Sequence, residues 1–112
     1  MIEIRYKNQM IVSKTKIADT FWSRFTGYMF RSSPHVPAIL FKPAISIHTF
    51  FMRFPLDVVF MDHQFKVIKI YQNLRPWRHT WFYFNSTNTL ELPTGILPSE
   101  IKEGDSLEVR HV

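Results

Sequence analysis

The sequence predicts a mainly β fold: a small jelly-roll-like sandwich or partly closed barrel with one short α-helix near residues 16–26. Three observations predict it. Short apolar or alternating runs recur along the chain, separated by turn residues and 7 prolines. A single segment carries helical periodicity, and the runs follow one another too closely for repeated β-α-β units. At 112 residues the chain forms one domain, residues 1–112, and its 46% hydrophobic content supplies enough apolar surface to offset the entropy of ordering.

The elements follow in order. Ile2, Ile4 and Tyr6 alternate with Glu3, Arg5 and Lys7, the period of a strand. Asn8-Gln9 turns the chain into a second strand over 10–13. Ile17, Phe21, Phe25 and Tyr28 recur on one helical face, with Thr15 or Asp19 as the cap and Gly27 at the left-handed end. Pro34 and Pro37 enforce a loop. Apolar strands then cover 38–41 and 45–49, and Pro55 interrupts the chain. Residues 56–61 form a nearly continuous apolar run around Asp57, as a central strand does. A tight connection at 62–64 leads to a strand over 65–71, and further strands cover 89–92 and 106–112.

Composition removes several chemistries. With no cysteine there are no disulfides, thiolate nucleophiles or cysteine-ligated zinc, which fits a reducing compartment. Glu3 and Arg5 interrupt the start where a leader needs an apolar run, and no stretch approaches the roughly 18 apolar residues that span a bilayer. A cytoplasmic protein without a membrane span is expected. No serine sits in a Gly-x-Ser-x-Gly setting, and 3 scattered glycines form no phosphate loop. The histidines at 35, 48, 63, 79 and 111 make no metal-binding pattern, so neither metal nor cofactor is predicted. The net charge of +5 favours anionic partners. Between Asp62 and Glu91 there is no acid, whereas Lys66, Lys69, Arg75 and Arg78 fall there. Four cations are thin for a nucleic-acid track, and the acidic C-terminal part opposes one. Nothing selects an oligomeric state.

Three groups of residues are candidates for a site. The first is His48, Thr49, Arg53, Asp57 and Asp62. A carboxylate inside apolar sequence is costly to bury unpaired. Asp57 therefore either pairs with Arg24, Arg53 or His48 or lines a pocket with His48 and Thr49. The second is the stretch 73–85, where Arg75, Arg78 and His79 interleave with Trp77, Trp81 and Tyr83. It either closes one end of the domain or offers stacking planes with charge-assisted donors. The third is Glu91, pointing opposite to Leu90 and Leu92. The basic, aromatic face of 15–28 suits a membrane surface less well than it suits plugging the sandwich.

Three functions compete. The first is a non-catalytic binding module for a small polar or anionic ligand, or an extended glycan or peptide, using His48, Thr49, Arg53, Asp57, Arg75, Trp77 and Glu91. A second is a hydrolase or isomerase with Asp57 or Glu91 as base and His48 as acid, which requires these groups to share one cavity. The third is a protein-interaction module with an exposed aromatic patch.

The blocks SRFTGYMFR, IHTFFMRFPLDVVFMD, LELPTG and EGD, in that order, resemble the bacterial and archaeal family called domain of unknown function 192, or uncharacterised protein family 0127. The resemblance runs from about residue 17 to 109. It implies a mainly β, jelly-roll-like domain, sometimes behind a signal peptide or lipid anchor, and no established activity. Two departures are Tyr28-Met29, where the family usually has Leu-Met, and His63-Gln64, where a glycine often sits.

Overall fold

A computed structural model describes residues 2–20, 23 and 27–111. Among these, seven strands build one mixed sheet: β1 (Ile2–Tyr6), β2 (Gln9–Ala18), β3 (Ile39–Phe41), β4 (Leu56–Met61), β5 (Val67–Leu74), β6 (Asn88–Pro93) and β7 (Glu108–His111). The spatial order is β5-β4-β6-β3-β2-β1-β7. Neighbours are antiparallel except β2 and β3, which run parallel with Lys16 opposite Ile39 and Ala18 opposite Phe41. The sheet does not close into a barrel. Its outermost strands form no ladder, although an isolated bridge joins Lys66 to Ser106.

The β1–β2 hairpin follows from its turn. Lys7 and Asn8 both take left-handed backbone, φ 49° and 64°, matching the right-handed twist of the strands they join. β2 then runs well past the predicted 10–13. Residues 16–18, expected to open the helix, are its last three positions. Their backbone pairs with β3, and that ladder outweighs the weak helical preference of a β-branched residue such as Ile17. Of the rest of the predicted helix, Ser23 is helical and Gly27 N donates to its carbonyl at 3.2 Å, while residues 21, 22 and 24–26 lie outside the described residues. The capping exchange falls on Thr20 rather than Thr15 or Asp19. Thr20 N donates to Ser23 Oγ at 3.0 Å and Ser23 N donates to Thr20 Oγ1 at 3.1 Å. Gly27 (φ +42°) sits where an added Cβ would approach the Phe41 ring to 3.1 Å.

Strand alternation divides the apolar residues into two cores. On one side Leu40, Val59, Met61, Leu90 and Leu92 pack with Ile2, Ile4 and Val12 of the curled sheet, closed by Leu97, Ile101 and Leu107. On the other, Ile39, Phe41, Leu56, Val58 and Phe60 are covered by Tyr28, Ile47 and Met52, with Phe54 and Tyr83 packed against them. That cover is loop, not a second sheet. The predicted strand at 45–49 is reduced to one bridge, His48 to His79, because its polar backbone pairs irregularly with the 78–83 segment. Thr80 N donates to Ile47 O (2.9 Å) and Tyr83 N to Ile45 O (2.8 Å).

Candidate functional site

Two loops, residues 45–54 and 75–83, are joined chiefly through Thr49. It is fully buried. Its N–H donates to Arg78 O at 2.8 Å, and its carbonyl accepts from Trp77 N at 2.9 Å and Met52 N at 3.2 Å. The hydroxyl donates to Arg75 O at 2.6 Å and accepts from Arg78 N at 2.9 Å. With its bonding capacity so used, Thr49 positions the loops rather than contacting a ligand.

Around that junction three bulky side chains hold left-handed backbone: Phe30 (φ 61°), Phe51 (φ 64°) and Trp77 (φ 63°). Such residues are rare there, at a cost of order 1–3 kcal/mol each. None is buried in return, for the three are 66%, 46% and 55% exposed. Together with Met52 and Arg53 they line one cavity of about 230 Å³. Phe51 packs against Trp77 with centroids 4.8 Å apart and against Phe30 at 5.1 Å, and Phe30 N donates to Phe51 O at 2.9 Å. Behind them Phe50 lies 6.1 Å from Trp77 and stacks on His48 at 5.2 Å. His48 Nδ1 accepts from Phe50 N at 3.2 Å. Burial lowers the His48 pKa, so the ring is neutral at pH 7.

Of the predicted residues, Arg53 and Trp77 line this cavity, and His48 supports it from behind. Arg75 and Arg78 carry exposed side chains and lend their backbones to Thr49. The stretch 73–85 divides: Trp77 and Trp81 are exposed, while Tyr83 turns inward, its hydroxyl 2.5 Å from that of Tyr71. Burial, then the bond to Tyr71, pushes the Tyr83 pKa up to about 12.

Asp57 lies elsewhere, and no ion pair to it is formed among the described residues, Arg24 lying outside them. Its Oδ1 accepts from Asn73 N at 2.9 Å and its Oδ2 from Gly95 N at 3.4 Å. Backbone N–H groups are the cheaper partners, since they too need satisfying where β5 bulges and the chain turns. Asp57 opens on a separate polar cavity of about 260 Å³ with Gln72, Asn73, Thr94 and Ser99.

Glu91 is opposite. In the sheet register Asp57 faces Leu92 while Glu91 faces Val58, so the two carboxylates project from opposite faces. Glu91 is 3% exposed, and burial pushes its pKa up to about 8. Tyr28 above it has its own pKa raised, by burial and then by Glu91. Asp57 and Glu91 therefore do not share one cavity. No cluster of three or more metal-binding side chains occurs among the described residues.

Phe30, Phe51 and Met52 escaped the sequence reading. The aromatic density of HTFFMRF was the only trace of Phe51 and Met52, and Phe30 left none, because left-handed backbone leaves no sign at a residue other than glycine, asparagine or aspartate.

The family model DUF192, described as "Uncharacterized ACR", matches residues 2–109. UPF0127 proteins of Thermococcus sibiricus and Pyrococcus furiosus are 30% and 32% identical, over 87% and 91% of this chain. The chain spans about two thirds (66%) of the former and 91% of the latter. Among solved structures, a protein of unknown function from Novosphingobium aromaticivorans superimposes with a TM-score of 0.78 at 22% identity, covering 96% of this chain and 82% of that one. A Sinorhizobium meliloti protein described as a candidate transcription regulator gives 0.75 at 18% identity, covering 96% and 91%. At those identities the structures share the fold, and the sequence matches place this chain in the DUF192, or UPF0127, family.

Proposed function

We propose that this chain is a non-catalytic binding module that takes a small anionic ligand with a flat ring or sugar face into the cavity of Phe30, Phe51, Met52, Arg53 and Trp77. One observation carries the reading: three exposed aromatic side chains held in left-handed backbone around a single cavity beside a guanidinium. Strain kept at exposed positions has no packing purpose of its own. Open ring faces supply stacking, and Arg53 supplies charge-assisted donors to a carboxylate or phosphate. The curled sheet, with its Lys66–Ser106 bridge, reads as a partly closed, jelly-roll-like frame that holds the two loops rigid. Acid–base catalysis by Asp57 with His48 is disfavoured, since Asp57 opens on the other side of the sheet from the His48 loop, and Glu91 is disfavoured as a base by its burial at 3% exposure.

Titration calorimetry with glucuronate, benzoate and a nucleoside monophosphate as probes tests this. At least one probe class binds saturably, and Trp77→Gly and Arg53→Ala each weaken it about tenfold or more, as expected for loss of a stacked ring or an ionic donor. Glycine suits φ 63°, so Trp77→Gly keeps the fold. The reading fails if no probe binds at millimolar concentration, or if Trp77→Gly binds as the wild type does.

A further inference from the structure

Charge and exposed aromatic surface are segregated together in this molecule. Residues 20–56 and 63–90 contain no aspartate or glutamate. Yet Arg31, Lys42, Arg53, Lys66, Lys69, Arg75 and Arg78 all fall within them. The acids sit elsewhere: Glu3 and Asp19 near the start, Glu100, Glu103, Asp105 and Glu108 near the end, with Asp57 and Glu91 buried and Asp62 in the turn before β5. Of these cations, Lys69 is within 3.8 Å of Glu103. In the same carboxylate-free stretch of sequence, residues 63–90, lie Trp81, Phe82 and Phe84, which are 71%, 49% and 81% exposed.

This tip is built, not loose. Tyr83 N is fixed to Ile45 O and Thr80 N to Ile47 O, Ser86 N bonds Tyr83 O at 2.9 Å, and the Tyr83 hydroxyl meets Tyr71. With Tyr83 held inward, its neighbours Phe82 and Phe84 project outward, their rings 6.2 Å apart and nearly parallel, and Trp81 packs edge-on to Phe82 at 6.3 Å. Pinned backbone leaves little ordering entropy to lose on association.

We propose that the Trp81-Phe82-Phe84 tip, with the exposed Arg75 and Arg78 that precede it in the same segment, docks the protein on the surface of a lipid bilayer rich in anionic headgroups. Amphipathic aromatic rings settle at the headgroup level, and guanidinium groups are drawn to the negative surface potential. No acid falls within residues 63–90, and Glu103, whose charge reaches Tyr83, is offset by Lys69 at 3.8 Å. A single-stranded nucleic acid fits less well, because the rings crowd one tip against each other instead of lining a groove tracked by cations. None of the three tip residues lines the Phe30–Trp77 cavity, so the docking surface stands or falls apart from the ligand reading.

Co-sedimentation with vesicles of equal parts phosphatidylglycerol and phosphatidylcholine tests it. The protein binds these at low salt, binds pure phosphatidylcholine far more weakly, and its tryptophan emission shifts to the blue on binding. Trp81→Ala with Phe84→Ala lowers the partition at least about tenfold, as loss of two inserted rings requires. Arg75→Glu with Arg78→Glu lowers it comparably and removes most of the salt dependence. All four side chains are exposed, so an unchanged melting temperature confirms that the variants are folded. The proposal is overturned by absence of binding to the mixed vesicles, or by binding that the variants leave intact. It is equally overturned if the aromatic variant instead abolishes binding to a thymidine oligonucleotide, or abolishes self-association seen by sedimentation.

Discussion

The two faces of the sheet solve the problem of burial differently. One is sealed by the chain's own strands and by Leu97, Ile101 and Leu107, and its one buried carboxylate, Asp57, is satisfied by backbone N–H groups at the rim. The other is covered by two loops stapled through Thr49, and beneath them lies Glu91 with its pKa raised by burial. Phe30, Phe51 and Trp77 lie over the second face, whereas Phe65, also left-handed at φ 61°, packs against the first. Each face carries a cavity, about 260 Å³ at Asp57 and about 230 Å³ under the loops, but only the loop cover lines its cavity with open aromatic ring faces.

Three measurements break or sharpen this contrast. The largest effect belongs to the sealed face. Leu90→Ala costs about 2–5 kcal/mol by denaturant unfolding, because a side chain buried among strands leaves a cavity that rigid neighbours cannot fill. Met52→Ala on the loop face costs less, since loops relax into the gap, and equal costs would break the contrast.

The next effect depends on pH. The folded Glu91 holds its proton up to about pH 8, against 4.5 for the unfolded chain. Between those values the native state binds the extra proton, so stability from this group is full below pH 4.5 and is lost as pH rises through 8. Glu91→Gln therefore melts higher than wild type at pH 9, by on the order of a few kcal/mol, and close to it at pH 4. A difference that is constant across pH would refute the burial account.

The smallest effect on stability belongs to the staple. Thr49→Val leaves Arg75 O and Arg78 N short of a partner and costs about 1–3 kcal/mol. It also weakens any ligand of the aromatic cavity without touching it. Loss of stability with ligand affinity unchanged would show that the two loops keep their positions without Thr49.

The strands were largely legible. The alternation of Ile2, Ile4 and Tyr6 and the apolar run of β4 are the local signatures of half-buried and doubly buried strands, and both appear where expected. Residues 16–18 misled because Ile17, Phe21 and Phe25 fit a helical face while only a distant partner, β3, makes them a strand. Of the site, Arg53 and Trp77 were named from their chemistry. Asp57 and Glu91, grouped from their charge, were separated by one residue of register across β4 and β6.

The sequence alone determined that the chain is mainly β and that cations crowd with aromatics between Asp62 and Glu91, because these are properties of residue type and local period. Tertiary structure decided which carboxylate faces which side and that Phe30, Phe51 and Trp77 meet at one cavity. Both depend on strand pairing and backbone conformations imposed by contacts between segments far apart in the chain, which no local pattern records.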